Sequence, residues 1–283
     1  IPCGAKMPII ALFAGALFGG SALVATSAYF IGVAAVVVSG IMLKKFKAFA
    51  GEPAPFVMEL PAYHAPSVGN VLRSMWERGW SFIKRAGTVI LLSTIILWFL
   101  SNFGFGASGF GWVEDSDASL LAAVGSVVAV IFVPLGFGTW QAAVATITGL
   151  IAKEEVVSTM QVFYPGNLVA NIAMAFTAAS AYSFMVFNLL CAPCFAAMGA
   201  IKREMNNIKW TWAAIGYMCG FAYVSALIVY QLVGLFTGTV GFGLWTVVAL
   251  AALAAIVYLL FRRGYQGEER SRQLSSVAAA ASR

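Results

Sequence analysis

The chain has 283 residues, of which 61% are hydrophobic and only 10% are charged, and its mean hydropathy is +0.89. A soluble globular domain is about half apolar and about a quarter charged. The composition therefore excludes an ordinary soluble domain and predicts an all-α, polytopic membrane protein. In such a protein the net charge of +6 reports orientation and implies no nucleic-acid partner. Four cysteines are too few for a disulfide scaffold.

The apolar runs predict about eight membrane crossings, since a spanning helix needs about 20 apolar residues. Residues 7–43 carry no charge and predict a hairpin that turns at Gly19-Gly20-Ser21. Further runs follow at residues 86–103, 118–133, 139–163, 170–190, 210–236 and 242–261. Prolines at Pro134 and Pro193 interrupt or end two of these runs. Such interruptions are typical of the discontinuous helices of transporters.

Two segments do not fit a membrane crossing. In residues 73–85, apolar side chains recur at helical spacing among basic ones. This pattern predicts an amphipathic helix on the cytoplasmic surface, with Trp76 and Trp80 at the level of the lipid headgroups. The tail at residues 262–283 is polar and rich in small residues, so we expect it to be disordered.

The basic residues predict the orientation. In the eight-crossing arrangement, sixteen of the seventeen Lys and Arg residues fall on one side. The opposite loops hold no basic residue, and the longest contains Glu114, Asp115 and Asp117. The positive-inside rule makes the basic side cytoplasmic, together with both ends of the chain. Lys153 is the exception, because it lies within a predicted crossing.

A proline-rich segment at residues 51–66 contains the only histidine of the sequence. Prolines at this density exclude a regular helix. Met58, Glu59 and His64 of this segment have side chains that can ligate a divalent metal. A rigid cytoplasmic loop, in which Glu59 and His64 cap backbone groups or pair with basic residues, is the simpler interpretation of these residues alone.

Lys153, Glu154 and Glu155 stand together inside an apolar run. Each ionisable group near the bilayer centre costs roughly 2.5–3.5 kcal/mol, so such groups usually serve a transport pathway. In a continuous helix Glu155 would also share a polar stripe with other side chains, suited to a water-filled interior. The members of this stripe are Gln141, Thr148, Glu155 and Thr159. The alternative is a structural ion pair between Lys153 and one of the glutamates.

The pair Cys191 and Cys194 fits three interpretations: metal ligands, a redox pair or two inert apolar side chains. A single CxxC pair is weak support for a zinc site. Its predicted place at the cytoplasmic end of a crossing argues against a stable disulfide. Thiol and thioether groups suit transition metals, so Cys3, Cys194 and Met198 are a set able to pass on such an ion. Cys219 lies among apolar residues and is predicted to pack.

Five blocks resemble the C-terminal membrane half of the ferrous iron transport protein B family. They are Pro2-Cys-Gly-Ala-Lys-Met-Pro8, Pro53-Ala-Pro-Phe-Val-Met-Glu-Leu-Pro-Ala-Tyr-His64, Arg85-Ala-Gly87, Ala152-Lys-Glu-Glu-Val-Val157 and Pro193-Cys-Phe-Ala-Ala-Met-Gly-Ala200. The similarity runs from residue 1 to about residue 263. The chain begins with Ile1 and not Met, which agrees with a piece of a longer protein.

The resemblance implies half of a pseudo-symmetric transporter with two Gate-type regions. It divides the chain into the end of the first Gate region with a hairpin (1–43), a cytoplasmic proline-rich segment with the amphipathic helix (44–85) and transmembrane helices with an acidic outer loop (86–138). The second Gate-type region (139–209), a C-terminal transmembrane hairpin (210–261) and the tail (262–283) follow.

In function, the resemblance implies a GTP-regulated permease that imports Fe(II) through the cytoplasmic membrane of a bacterium or archaeon. Fe(II) is then the transported substrate, this chain binds no cofactor, and GTP with Mg²⁺ belongs to an N-terminal domain outside it. Implied partners are the lipid bilayer, that GTPase, the first Gate region and small cytoplasmic accessory iron-transport proteins, and a homo-oligomer stays open. The implied metal path contains Cys3 and Cys194, with Met58, Glu59, Glu154, Glu155 and Cys191 as further candidates.

Two other functions stay open at this point. Gate regions also resemble a segment of nucleoside permeases, which leaves a symporter of an organic solute and H⁺ that uses Glu154 or Glu155. The second is a membrane thiol oxidoreductase that uses Cys191 and Cys194. No phosphate-binding loop, HExxH motif or Ser/His/Asp set is present in the sequence, so no motif supports catalysis by this chain.

Overall fold

The computed structural model describes residues 3–46, 67–106, 109–113 and 119–262. In this part of the chain, eleven α-helices account for nearly all regular structure, and the predicted all-α polytopic class is confirmed. The helices are α1 (Met7–Leu17), α2 (Ala22–Lys44), α3 (Val68–Asn102), α4 (Leu120–Phe132), α5 (Trp140–Ile151), α6 (Glu155–Phe163), α7 (Leu168–Ala175), α8 (Ala178–Leu190), α9 (Phe195–Met205), α10 (Ile208–Phe236) and α11 (Leu244–Phe261).

Three described helices, α2, α10 and α11, are long and apolar enough to cross a membrane. The number rises to five if α4 with α5 and α7 with α8 each form one bent span. These pairs bend by 98° and 106°. The bend after α4 falls at Pro134, where the sequence predicted an interruption, whereas the bend between α7 and α8 was not predicted. Among the described residues this number is below the eight crossings predicted, because several apolar runs fold as helices of only 8 to 13 residues. Helices of that length are shorter than the hydrocarbon core of a bilayer.

Helix α3 joins two predicted elements. The surface helix over residues 73–85 and the crossing over residues 86–103 form one helix of 35 residues, about 52 Å long at 1.5 Å per residue. The prediction of two separate helices was wrong because the intervening sequence contains no proline, and a single glycine, Gly87, does not end a helix. Trp76 and Trp80 stack on the exposed face of its first half, with ring centroids 6.0 Å apart.

A short β-hairpin follows α3. Strands β1 (Phe103–Gly106) and β2 (Gly109–Trp112) pair antiparallel, with Phe103 opposite Trp112. The sequence predicted the end of a crossing and a loop at this place. Glycine and aromatic residues alternate here, and this pattern allows the extended backbone of a hairpin. The acidic residues predicted for this loop, Glu114, Asp115 and Asp117, lie outside the described residues, as does the tail at residues 263–283.

The bends of the two broken helix pairs meet in the core. Gly136 ends the short turn after α4 with φ +86°, and Phe137 follows it. Phe176 lies between α7 and α8. Both rings pack against Phe184 of α8, at centroid distances of 5.1 and 5.7 Å, and Phe13 of α1 lies 5.0 Å from the same ring. The irregular backbone is thus buried within protein, where it is tolerated at membrane depth.

Helices α2, α10 and α11 bring several polar side chains together toward one end of the bundle. Lys45 caps α2 and donates a hydrogen bond from its Nζ to the carbonyl oxygen of Leu260, near the end of α11. Ser39 and Tyr217 of α10 share a hydrogen bond of 2.8 Å. Arg262, at the end of α11, lies at the same end of the bundle. The side of the membrane that this end faces stays a prediction.

Candidate functional site

The run at residues 139–163, predicted as one crossing, is broken between α5 and α6. Helix α5 ends at Ile151, Ala152 is extended (φ −145°, ψ 131°), and α6 begins at Glu155. Lys153 and Glu154 form the turn between the two helices. The three ionisable residues therefore lie at a helix break and not on a regular helix. Residues 150–157 contain neither proline nor glycine, and the preceding Gly149 lies inside α5, so no local signal marks this break.

Lys153 is fully buried, with only 1% of its surface exposed. Its Nζ donates to the Sγ of Cys191, at 2.9 Å. Within the described residues Lys153 makes no ion pair with either neighbouring glutamate, so the structural ion pair considered from the sequence does not form. Its partner across the fold is a thiol at the end of α8, a contact that the sequence did not predict.

Cys191 directly follows the last residue of α8 and is buried. It is 3% exposed and lines a cavity of about 250 Å³ together with Lys6, Tyr217 and Phe221. Tyr217 is in the interior of α10, more than two turns after the start of that helix at Ile208. We call this space the Lys6 cavity.

Asn188 is a polar side chain that the sequence analysis missed. It is 1% exposed and lies one turn before Cys191 on α8. Its Nδ2 donates to the carbonyl oxygen of Phe184 at 3.1 Å, whereas its Oδ1 is the one buried side-chain oxygen or nitrogen among the described residues without a hydrogen-bond partner. The only signal in the sequence is an asparagine inside an otherwise apolar run.

Glu155 faces a second cavity, of about 370 Å³, between α3, α5 and α6. We call it the hydroxyl pocket, because its lining includes Thr94, Ser101, Thr148, Ser158 and Thr159. Ser158 donates to Glu155 Oε2 at 3.1 Å, and the hydroxyls of Thr148 and Thr159 lie 3.2 Å apart. Three members of the predicted polar stripe therefore come together, although through the packing of two helices and not through one continuous helix. Gln141, the fourth, does not line the pocket.

Glu154 lies apart from this pocket. Its side chain is exposed on the surface of the described chain, and it makes no side-chain cap at the start of α6. The two adjacent glutamates thus have different surroundings, and only Glu155 shares a cavity with other polar groups.

Lys6 connects the three cysteines of the predicted metal path. Its Nζ donates to the carbonyl oxygen of Leu189 at 2.5 Å. Burial lowers the pKa of the Lys6 ammonium, and the nearby positive charge of Lys153 lowers it further. The thiols of Cys191, Cys3 and Cys194 act on this pKa in the opposite direction, so all three lie in the electrostatic neighbourhood of Lys6.

Cys3 and Cys194 both precede helical turns. Cys3 is exposed and precedes the turn Gly4–Lys6, and Cys194 is half-buried and precedes α9. All four cysteines are free thiols. Among the residues that the structure describes, no three side chains of His, Cys, Asp or Glu come close enough together to hold a metal ion.

The remaining predicted ligands do not join this group. Met198 lines a different cavity, of about 390 Å³ and almost wholly apolar, together with Lys202, Trp212 and Cys219. We call it the Met198 cavity. Met58, Glu59 and His64 lie outside the described residues.

Long apolar helices, two bent helix pairs in a buried core and a broken helix that carries ionisable side chains together define a helical membrane protein of the transporter type. Residues 25–78 match the family described as "Ferrous iron transport protein B C terminus", and residues 83–208 match the Gate family, described as "Nucleoside recognition". The chain belongs to the ferrous iron transport protein B (FeoB) family and corresponds to its C-terminal membrane region. The Gate match begins well before residue 139, where the second Gate-type region was predicted to start.

Similar proteins include "Fe(2+) transporter FeoB" of Staphylococcus aureus and of Methanocaldococcus jannaschii, each 38% identical over 239 residues. These alignments cover 83% and 81% of this chain and 35% of each relative. The protein of the same name from Salmonella typhimurium is 32% identical over 320 residues, with 92% of this chain and 40% of the relative covered. The chain therefore spans less than half of the length of the curated relatives it matches. No solved structure matches the chain.

Proposed function

We propose that the chain is the membrane permease part of a GTP-regulated ferrous iron importer, which moves Fe(II) into the cell. The relatives named Fe(2+) transporters, which align with 81% to 92% of the chain, support the substrate. The inward direction and the control by GTP rest on the family resemblance. This relationship favours a transporter over an enzyme.

The arrangement around the break between α5 and α6 carries the proposal. On one side of the break, the hydroxyl pocket holds the carboxylate of Glu155. On the other side lie Lys153, Cys191 and the Lys6 cavity. Oxygen ligands suit hard cations and sulfur ligands suit softer ones, so a route with oxygen first and sulfur later fits a borderline ion such as Fe(II).

In the route that we propose, Fe(II) enters the hydroxyl pocket and is attracted by Glu155. It then passes the break beside Cys191 and leaves through the neighbourhood of Lys6, where Cys3 and Cys194 lie. Irregular backbone at such a break offers free carbonyl groups to a cation, as in the discontinuous helices of transporters.

A symporter of an organic solute and H⁺ is the second candidate. The description of the Gate family as "Nucleoside recognition" favours it, and a hydroxyl pocket with one carboxylate suits a polar solute. The thiol oxidoreductase has weaker support, because the thiol of Cys191 contacts Lys153 and is not paired with Cys194.

Uptake measurements separate these functions. The protein, expressed from its native gene in a host without ferrous iron uptake of its own, should accumulate radiolabelled Fe(II). Unlabelled Fe(II) should compete with this uptake and nucleosides should not. Uptake of a labelled nucleoside that depends on a proton gradient, without Fe(II) uptake, would instead establish the symporter.

A further inference from the structure

The pair of Lys153 and Cys191 is unusual for a membrane protein. A buried ammonium group is costly unless it is paired, and buried lysines normally pair with carboxylates. Two glutamates adjoin Lys153 in sequence, yet its Nζ contacts a sulfur 38 positions away. The side chain is thus directed into the protein toward the end of α8 and away from the nearest negative charges.

A second buried polar group lies one turn away from Cys191, on α8. The Oδ1 of Asn188 has no partner within the described residues, and a Cβ atom built on Gly149 of α5 would lie 3.7 Å from it. Asn188 and Cys191 are three residues apart and therefore lie on the same face of α8. The oxygen of one and the sulfur of the other both face the segment that carries the break between α5 and α6.

An unsatisfied buried oxygen costs about 1–3 kcal/mol and requires an explanation. A carboxamide oxygen next to a sulfur forms a site for a cation, and the mixture of a hard and a soft ligand suits a borderline divalent metal. In the structure the ammonium group of Lys153 contacts the sulfur, and the carboxamide oxygen has no partner within the described residues.

We propose that Cys191 Sγ and Asn188 Oδ1 form a thiol–carboxamide metal site, that Lys153 is a tethered cation that blocks this site through its contact with the sulfur, and that a passing Fe(II) ion displaces it. This inference rests on the proposed function and deepens it, because it assigns to a lysine the step of the route that passes the break between α5 and α6. Like charges exclude each other, so the ammonium and the metal occupy the site alternately. The lysine then closes the route when no metal is present.

Cobalt binding to the purified full chain tests this site. Co(II) is a spectroscopic substitute for Fe(II) and gives a near-ultraviolet charge-transfer band when it binds sulfur. We expect Lys153→Met to bind Co(II) about ten-fold more tightly, because the competing charge is removed. The charge-transfer band should also gain intensity, and this gain should be absent from the double variant Lys153→Met/Cys191→Ala. Asn188→Leu in the Lys153→Met background should weaken the binding again.

Lys84→Met is the control, since Lys84 is exposed on α3 and lines none of the cavities described above, so its replacement should leave Co(II) affinity and spectrum unchanged. Methionine is close to lysine in volume and removes a buried charge, so the variant should fold. Lys153→Gln should show the same gain in Co(II) affinity and in the charge-transfer band, and it tests both with a second replacement side chain. Unchanged affinity together with no added band in both Lys153 variants would overturn the proposal.

The same experiment separates this inference from the proposed function. Co(II) binding requires no transport, so a gain in affinity and in band intensity supports the site even if the wild-type protein takes up no Fe(II). Absence of Fe(II) uptake by the wild type would overturn the proposed function alone.

Discussion

Replacement of Gly136 by alanine should destabilise the protein more than replacement of any glycine in open space. Gly136 has φ +86°, a conformation that costs a residue with a Cβ about 1–2 kcal/mol. The added Cβ would also lie 2.0 Å from Cε2 of the Tyr230 ring on α10. Overpacking of this kind costs typically about 1–3 kcal/mol. The two effects together lower the free energy of unfolding by about 2–5 kcal/mol.

Gly166→Ala separates the two effects. Gly166 has a similar φ of +88°, but no atom lies within 4 Å of the Cβ position, so only the backbone cost of about 1–2 kcal/mol applies. Thermal and denaturant unfolding of the purified protein in detergent measures both variants. In the Tyr230→Ala background, Gly136→Ala should cost no more than Gly166→Ala does, because the clash with the ring is absent. If Gly136→Ala is no less stable than Gly166→Ala, the packing of the bend against α10 is wrong.

Two further predictions concern buried groups near the helix breaks. Gly149→Ala should lower the free energy of unfolding by about 1–3 kcal/mol, because its Cβ would lie 2.5 Å from Cγ2 of the buried Val156 and would force α5 and α6 apart. Gly199→Ala, with open space around the Cβ position, should be neutral or slightly stabilising in the same unfolding assay. Gln231→Leu should also lower the free energy of unfolding by about 1–3 kcal/mol, because the buried Gln231 donates a hydrogen bond to the carbonyl oxygen of Pro134 at 3.1 Å. An unchanged free energy of unfolding would show that this hydrogen bond does not stabilise the bend.

The membrane class and one of the bends could be predicted from the sequence because their causes are local. The charge-poor composition is incompatible with a soluble surface. The series Pro134-Leu-Gly-Phe-Gly138 contains a residue that cannot continue a helix and a glycine that accepts φ +86°. Both signals act within a few residues, so the bend after α4 follows from the sequence.

The other breaks have no comparable local cause. Between α5 and α6 the chain leaves the helix at Ala152, a good helix former. Between α7 and α8 it does so at Phe176, whose ring packs on Phe13 and Phe184, and Thr177 caps the following helix. Tertiary packing overrides helix propensity at both places. The apolar runs alone therefore predicted one crossing for α5 with α6 and one crossing for α7 with α8.

The candidate site, too, could be predicted only in part from the sequence. The sequence singled out Lys153, Glu155 and Cys191 because ionisable and thiol groups are conspicuous in an apolar chain. It could not pair Lys153 with Cys191, because this contact depends on how α8 packs beside the break. Asn188 was missed because an uncharged amide is a weak signal until its burial and its unpartnered oxygen are known.

Fe(II) uptake by Glu155→Gln and Cys194→Ser tests the proposed path most directly. Glu204→Gln and Cys219→Ser are matched controls, because Glu204 is exposed on α9 and Cys219 lies on α10 in the apolar Met198 cavity. With the protein expressed from its native gene, uptake should fall about ten-fold or more in each path variant, as expected when a metal-handling group is lost. It should stay near the wild-type rate in both controls. Unchanged uptake in Glu155→Gln and in Cys194→Ser would contradict the path from the hydroxyl pocket to the cysteines.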